Sequence, residues 1–363
     1  MKNIFILIVI FLFTFPLMGC LQEETTTKGC TDPEANNYYK EAKSDDGSCD
    51  YEPIPWPDWI DDNFEGSNPM NNSETNNLTG FVVFETPGAP VLSGVTVPFI
   101  YFENSLFYLY MCNGTEGHHY SISDDGLNFT SPLRTGIGGC GLNFIKLNDG
   151  TYRLYTTTKV TLENGTESLN STSAVFTNLT DFGPNNRVGD NGTSAQGAGD
   201  PCYGFLGTPS VVRLTDNDDS VRLYFSCADP SHMASFTSTE DGINFGKSDG
   251  ILLHQAIDIE IHDIGDGYRL FYTMMNPQDH PHITPFHPQE IMTAVSDDGL
   301  NWEVEGMIAN TSTVSEGLGL EITVLADPTA VQLDDGSWRI YFGSASEKTD
   351  SHGGIYSLRW NPQ

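Results

Sequence analysis

The apolar positions of this chain gather in short, aromatic-rich runs of strand type, separated by polar turns. One phrase returns five times, as Phe107-Tyr108-Leu109-Tyr110, Tyr152-Arg153-Leu154-Tyr155, Val221-Arg222-Leu223-Tyr224, Tyr268-Arg269-Leu270-Phe271 and Trp338-Arg339-Ile340-Tyr341. A second phrase follows three of them: Ser123-Asp124-Asp125-Gly126 to Phe129, Thr239-Glu240-Asp241-Gly242 to Phe245, and Ser296-Asp297-Asp298-Gly299 to Trp302. The glycine spacings of 116 and 57 residues leave room for one degenerate copy near Thr180-Asp181-Phe182-Gly183. A unit of roughly 40 to 50 residues built of short strands predicts an all-β, five-bladed β-propeller with four-stranded antiparallel blades.

Within each unit an inner strand leads through an Asn-Asp-Gly type of turn into the aromatic-Arg-Leu-Tyr strand. A third strand then enters the Ser-Asp-Asp-Gly hairpin and a fourth leaves it. The last unit has only one strand after Trp338–Phe342, about Gly354 to Trp360, so its outer edge lacks a partner. Phe81-Val82-Val83-Phe84-Glu85, otherwise without a role, is the expected donor, so the N-terminal strand closes the ring by completing blade five. First strands then begin, and second strands end, on one face of the disc. The Asp-Gly hairpins fall on the other and read as turn chemistry.

The N-terminus changes the setting. Lys2, the apolar run Ile4–Pro16 and Leu17-Met18-Gly19-Cys20 have the layout of a secretory signal, and the run is shorter than a spanning helix needs. This stretch resembles the lipobox of bacterial-type lipoproteins, which implies that residues 1–19 are removed and Cys20 is lipidated. The body is expected outside the cytoplasm, at the cell surface or in the periplasm, meeting the membrane only through that anchor. Residues 20–79 read as a tether, with a small cysteine-bounded acidic module at 29–51 similar to one found on secreted proteins of marine microbes. The propeller spans 80–363. In the module, Asp45, Asp46 and Asp50 offer oxygen ligands to a hard cation, although a turn rich in Asp and Gly is the favoured reading.

Export makes disulfides the expected state of the six remaining cysteines, for which 15 pairings exist. Proximity in sequence suggests Cys30–Cys49, Cys112–Cys140 and Cys202–Cys227. With 49 acidic against 16 basic residues and a net charge of −33, the chain repels phosphates, and nucleic acid is not an expected partner.

Aligned on their second strands, the units place Thr96, Gly141, Thr208, Asp258 and Asp327 at the mouth of the central channel. Asp327 opens Asp-Pro-Thr-Ala-Val-Gln-Leu-Asp-Asp-Gly-Ser-Trp-Arg-Ile-Tyr-Phe. With this phrase, residues 80–363 resemble the five-bladed propellers of the furanosidase superfamily, glycoside hydrolase families 43 and 32. The resemblance implies a carbohydrate partner and hydrolysis of O-glycosyl bonds. Those enzymes carry an Asp base on the first blade, an Asp on the second and a Glu acid on the third. The positions here are Thr96, Gly141 and Thr208, so that catalytic set has no counterpart.

Blade four offers a different constellation. In Asp258-Ile259-Glu260-Ile261-His262 the period of two puts Asp258, Glu260 and His262 on one face of the innermost strand. With Asp327 they suggest the carboxylate pair of an inverting glycosidase, roughly 6.5–9.5 Å apart, with Glu260 as acid and Asp258 or Asp327 as base. A buried polar network, or a channel cation such as Ca2+ that fixes the ring, is the alternative. The loop between Met274 and Glu290 holds His280, His282 and His287 among four prolines. Zinc-ligand chemistry is present there without helical or hairpin spacing, so the loop reads as a stiff recognition segment and no metal is assigned. Tyr203, Phe205, Phe286 and Trp56 have rings suited to sugar faces. Together with Thr96, Thr208, His262, His280 and His282, these define the expected ligand surface. A non-catalytic surface scaffold is the competing reading; the Asn-x-Ser/Thr sites at Asn77, Asn113, Asn164, Asn170, Asn178 and Asn191 allow glycosylation or arise by chance in an Asn- and Thr-rich chain.

Overall fold

A computed structural model describes residues 27–28, 39–43, 78–113, 116–138, 140–161, 167–182, 187–192, 206–228, 231–238, 241–246, 248–274, 290–345 and 353–362. The chain divides into a unit ending at Phe64 and a second unit from Glu65 to Gln363. In the first, the Lys43 amide donates to the Thr27 carbonyl at 2.8 Å. Cys20, Cys30 and Cys49 lie outside the described residues.

The second unit begins with β1 (Phe81–Phe84) and β2 (Leu92–Ser93). Blade one comprises β3 (Thr96–Glu103), β4 (Leu106–Cys112), β5 (His118–Ser123) and β6 (Leu133–Arg134), and blade two β7 (Leu142–Lys146), β8 (Tyr152–Thr161), β9 (Glu167–Phe176) and β10 (Arg187–Gly192). Blade three comprises β11 (Leu206–Arg213), β12 (Val221–Ala228), β13 (Ser231–Ser238) and β14 (Ser248–His254). Blade four holds β15 (Ala256–Asp263), β16 (Tyr268–Met274), β17 (Glu290–Ser296) and β18 (Glu303–Asn310). After helix α1 (Thr311–Leu318), blade five is built from β19 (Val324–Gln332), β20 (Trp338–Ala345) and β21 (Gly354–Asn361). Its outer strand is β1, antiparallel to β21 from Phe81↔Asn361 to Phe84↔Leu358, with β2 also pairing the start of β21. The fold is therefore a five-bladed propeller, closed by the N-terminal strand.

Apolar side chains are buried in five clusters, each spanning one junction between neighbouring blades. The recurrent phrase explains the spacing of these junctions. Its last tyrosine is fully buried and sends its hydroxyl into the next blade's outer turn: Tyr110 to the Leu179 carbonyl (2.6 Å), Tyr155 to Gly242 (2.8 Å), Tyr224 to Gly299 (3.0 Å) and Tyr341 to Gly126 (2.6 Å). The turns are built by one aspartate each. Asp125 Oδ1, for example, accepts from the Leu127 and Asn128 amides, which hold its carboxyl well below the usual range. In the degenerate copy Asn178 takes this place, accepting from the Thr180 and Asp181 amides, with Phe182 as its aromatic residue.

The phrase's arginine ties the outer strands together. Arg222 meets Thr237 and Asp249, and Arg269 meets Thr293 and Glu305. In blade five Arg339 pairs with Glu85, which follows β1 and also accepts from Ser357.

Helix α1 is the element that the repeat does not announce. Asn310 and Thr313 form a capping box at its start, and Val314 and Leu318, one turn apart, enter the junction between blades four and five. Gly317 lets the ring of Phe84 lie against the helix, because a Cβ there would overlap that ring.

Candidate functional site at the channel mouth

The first strands of blades one, three, four and five carry a bulge near their start: between Thr96 and Phe99, Leu206 and Pro209, Ile257 and Glu260, and Ala326 and Thr329. A bulge sets an extra residue loose from the ladder and turns it inward. Val97, Asp258 and Asp327 consequently adopt left-handed backbone, with φ of 52°, 48° and 50°, and Gly141 does so at 83°. Such conformations cost of order 1–3 kcal/mol for a residue with a Cβ, and most for a β-branched one such as Val97. The expected mouth position in blade one therefore needs correction: Val97 occupies it, whereas Thr96 still pairs with Cys112 in the ladder.

These residues surround a pocket lined by Val97, Asn143, Thr208, Asp258, Glu260 and Asp327 among others, with a free volume of about 20 Å³, enough for one water molecule. Asp258 and Asp327 meet across the junction of blades four and five. The Asp327 amide donates to Asp258 Oδ2 at 3.3 Å, and the two carboxyls are within hydrogen-bonding reach of each other. Burial raises the Asp258 pKa, opposed by its hydrogen bond from the Asp327 amide. Burial also pushes Asp327 well above the carboxylate range, reinforced by the negative charge of Asp258 and their shared hydrogen bond. Two carboxyls buried beside each other disfavour both being ionised at once.

Glu260 faces the same neighbour as Asp258 but has another attachment. Its Oε2 accepts from the Ala330 amide of β19 at 3.0 Å, and Oε1 stands 3.3 Å from His262 Nε2. The equivalent residues of blades three and five make the same stitch: Ser210 accepts from the Ile261 amide and Thr329 from the Ile100 amide, both at 2.9 Å. Glu260 is thus a member of a ring-joining series, and His262 packs beyond it against the rings of Trp338 and Phe271. The sequence signal for this series was available: proline follows the bulge residue in Val97-Pro98, Thr208-Pro209 and Asp327-Pro328, and proline within a sheet marks edges and bulges.

The rim is braced on this face. A disulfide joins Cys112, at the end of β4, to Cys140, just before β7, with Cα atoms 5.3 Å apart. Cys227 is also disulfide-bonded, and its expected partner Cys202 lies outside the described residues. The same holds for His280, His282, His287, Tyr203, Phe205, Phe286 and Trp56. Among the described residues no cluster of three or more His, Cys, Asp or Glu is arranged to hold a metal ion.

No family profile and no curated protein sequence matches the chain. In fold it is similar to solved structures of glycoside hydrolases. One is a thermostable family-43 glycoside hydrolase, 14% identical over 78% of this chain and 91% of that one, with a TM-score of 0.51. Another is an endo-1,4-beta-xylanase from Bacteroides thetaiotaomicron, 14% identical over 74% of this chain and 91% of that one, with a TM-score of 0.52. A third is the alpha-L-arabinanase of Cellvibrio cellulosa complexed with arabinohexaose, 13% identical over 74% and 95%, with a TM-score of 0.50. At these identities the likeness is one of fold.

Proposed function

We propose that this protein binds carbohydrate outside the cytoplasm, at the channel mouth of a propeller anchored to the membrane through a lipidated Cys20. The observation that carries the reading is the Asp258–Asp327 pair lining the mouth pocket, beside the neutral polar groups of Asn143 and Thr208. A carboxylic acid and a carboxylate side by side supply both a donor and a charged acceptor to sugar hydroxyls. Fold likeness to glycoside hydrolases supports a sugar as the guest. A pocket with room for about one water molecule supports a sugar lying across the mouth over one inside the channel.

Hydrolysis is the second reading, favoured by the strained backbone at both acids, since strain of this kind gathers at functional sites. The bond from the Asp327 amide to Asp258, which ties the two acids to each other, favours binding. A glycan array and a polysaccharide-hydrolysis screen of the full chain in detergent, with Asp258→Asn and Asp327→Asn alongside, separate the two. Binding without sugar release, weakened in both variants, is the expected result. Release that survives both substitutions would place the chemistry elsewhere, and no binding to any glycan would leave a protein-binding scaffold as the better description.

A further inference from the structure

In both blades whose second strand carries a disulfide-bonded cysteine near its end, the residue directly opposite that cysteine is a histidine. Cys112 of β4 pairs with His118 of β5, and Cys227 of β12 with His232 of β13. The second strands of blades four and five end without cysteine and meet Glu290 and Gly354 there. Residues directly opposite on antiparallel strands share a face of the sheet, with Cβ atoms about 4.5–5.5 Å apart, so each histidine stands beside its half-cystine. In blade one the arrangement is open on one side: Cys112 is 4% exposed and His118 2%, whereas Cys140 is exposed at the rim. The His118 amide donates to the Ile137 carbonyl, and its carbonyl accepts from the Thr135 amide and hydroxyl, yet neither ring nitrogen has a hydrogen-bond partner. Leaving a buried donor unpaired is destabilising, and an orphan of this kind points to a partner supplied in another state of the site.

Reduction of the bridge supplies that partner. A thiolate of an external dithiol reaches the exposed half, Cys140, and forms a mixed disulfide there, while the S–S bond breaks with its electron pair leaving on Cys112. The second thiol of the reductant then displaces Cys140. The reductant departs as a disulfide, and its two protons end on the two cysteines. A thiol of lower pKa is the better leaving group. Burial keeps the His118 ring neutral at pH 7, with its pKa pulled down to about 4, and a neutral imidazole carries one N–H. Donated to the Cys112 sulfur, that N–H stabilises the thiolate and lowers its pKa. Tyr110 and Tyr120 share the His118 face, and the Tyr110 hydroxyl is committed to the Leu179 carbonyl. On the opposite face of β5, His119 turns to the Gly117 carbonyl and to Glu116, which also holds Arg134. The bridge is placed to matter at the mouth. Cys140 precedes Gly141, whose left-handed backbone (φ 83°) lies against Thr208, and Leu142 and Asn143 line the pocket.

We infer that Cys112–Cys140 is a reducible latch on the blade-two wall of the mouth, opened by a dithiol at Cys140, with His118 receiving the Cys112 thiolate. The latch is independent of what the mouth binds. In the test, the full chain in detergent is treated at pH 7 with dithiothreitol or with glutathione and alkylated at intervals, and its cysteine peptides are analysed by mass spectrometry. The bridge is expected to open while the protein stays folded, with glutathione trapped on Cys140. His118→Leu is expected to slow opening about threefold or more, and His118→Gln, which keeps a neutral N–H donor, to recover most of the parent's rate. A role in packing alone predicts the reverse, since a loosened strand end exposes the bridge and speeds attack. No opening short of unfolding, glutathione on Cys112, or a His118→Leu rate equal to or above the parent's would overturn the assignment. Where the leucine variant does not unfold at the parent's midpoint, the reduced parent decides: alkylation of Cys112 is expected to titrate below the free-cysteine value of about 8.5, and a value at or above it sinks the role of His118. Hydrogen exchange at residues 141–143 is expected to quicken on reduction; unchanged protection would mean that the bond latches nothing.

Discussion

The hydroxyl of Tyr341 donates to the carbonyl of Gly126 at 2.6 Å, across 215 residues of sequence, and so joins the last blade to the first. Tyr110, Tyr155 and Tyr224 make the equivalent bond at three other junctions. The remaining junction has Phe271 in place of tyrosine. There the neighbouring outer strand is β1, which arrives without a Ser-Asp-Asp-Gly hairpin, and Phe271 instead packs edge-on against Trp360 at 5.9 Å. The single missing hydroxyl thus coincides with the single blade that has no hairpin to receive it. Tyr341→Phe is expected to cost about 1–3 kcal/mol, since it leaves the Gly126 carbonyl buried without a partner. Phe271→Tyr is expected to destabilise as well, by burying a hydroxyl where nothing accepts it. Urea unfolding of both variants checks the pair; a neutral Tyr341→Phe would show that the bond does not hold the junction.

Glu85 supplies the acid of blade five from the opposite end of the chain. Its carboxylate receives Arg339 at 2.7 and 2.9 Å, with both side chains about nine-tenths buried. Removing one partner of a buried pair typically costs about 3–5 kcal/mol, because the other charge stays buried alone. Glu85→Ala is expected in that range, and deletion of 81–85 to destabilise the whole ring, both read from thermal unfolding. If the deleted protein melts at the parent's temperature, β1 is not the closing strand.

How much of this was legible in the sequence depends on what sets each feature. The blades, the closing strand and the degenerate hairpin all follow from repeated local chemistry, and Tyr, Arg and Asp recur because each junction poses the same problem. The mouth is different, because a bulge shifts register by one residue and breaks the alternation that places side chains. That shift replaced Thr96 by Val97 at the mouth, and it set Asp258 against Asp327 while Glu260 was drawn to the Ala330 amide. Composition shows that acids are present; only the register across two blades brings Asp258 and Asp327 together. Helix α1 was hidden for another reason, being an eight-residue insertion with one apolar turn inside a strand repeat.

The acid pair carries a stability consequence of definite sign. Both aspartates have folded-state pKa values raised above the unfolded value, Asp327 the more so. A raised carboxyl contributes stability while protonated and loses it as pH rises through the folded value. Asp327→Asn, which keeps the neutral form at every pH, is therefore expected to stabilise the protein at pH 7 by ~1 kcal/mol or more, with the gain shrinking toward pH 3. Denaturant midpoints of parent and variant across that range are the measurement. A variant destabilised at neutral pH would show that the carboxylate, not the neutral acid, is what the fold requires.

His118 titrates in the opposite sense. Its ring is 2% exposed, neither nitrogen has a partner, and burial pulls its pKa down to about 4. Its neutral form is the folded form, so stability is lost as pH falls from the unfolded value near 6.5 toward 4, up to ~3 kcal/mol. His118→Leu is expected to remove that part of the acid sensitivity. Subtracting the two unfolding curves isolates it from the aspartates, and curves that stay parallel between pH 6.5 and 4 would refute the assignment.

Val97 tests whether strain at the mouth serves binding. With φ at 52° it holds the backbone geometry of Asp258 and Asp327, yet brings no polar group and pays the higher cost of a branched Cβ. Asparagine tolerates this region better than valine, so Val97→Asn is expected to raise stability by about 1 kcal/mol. The same change adds a donor and an acceptor to the wall of the pocket that the acids line. If the mouth is a sugar site, affinity rises or shifts in specificity along with the melting temperature. A more stable protein whose glycan binding is unchanged would mean that Val97 shapes the ring without touching the ligand, which would place contact on the Asp258, Asp327 and Thr208 side of the mouth.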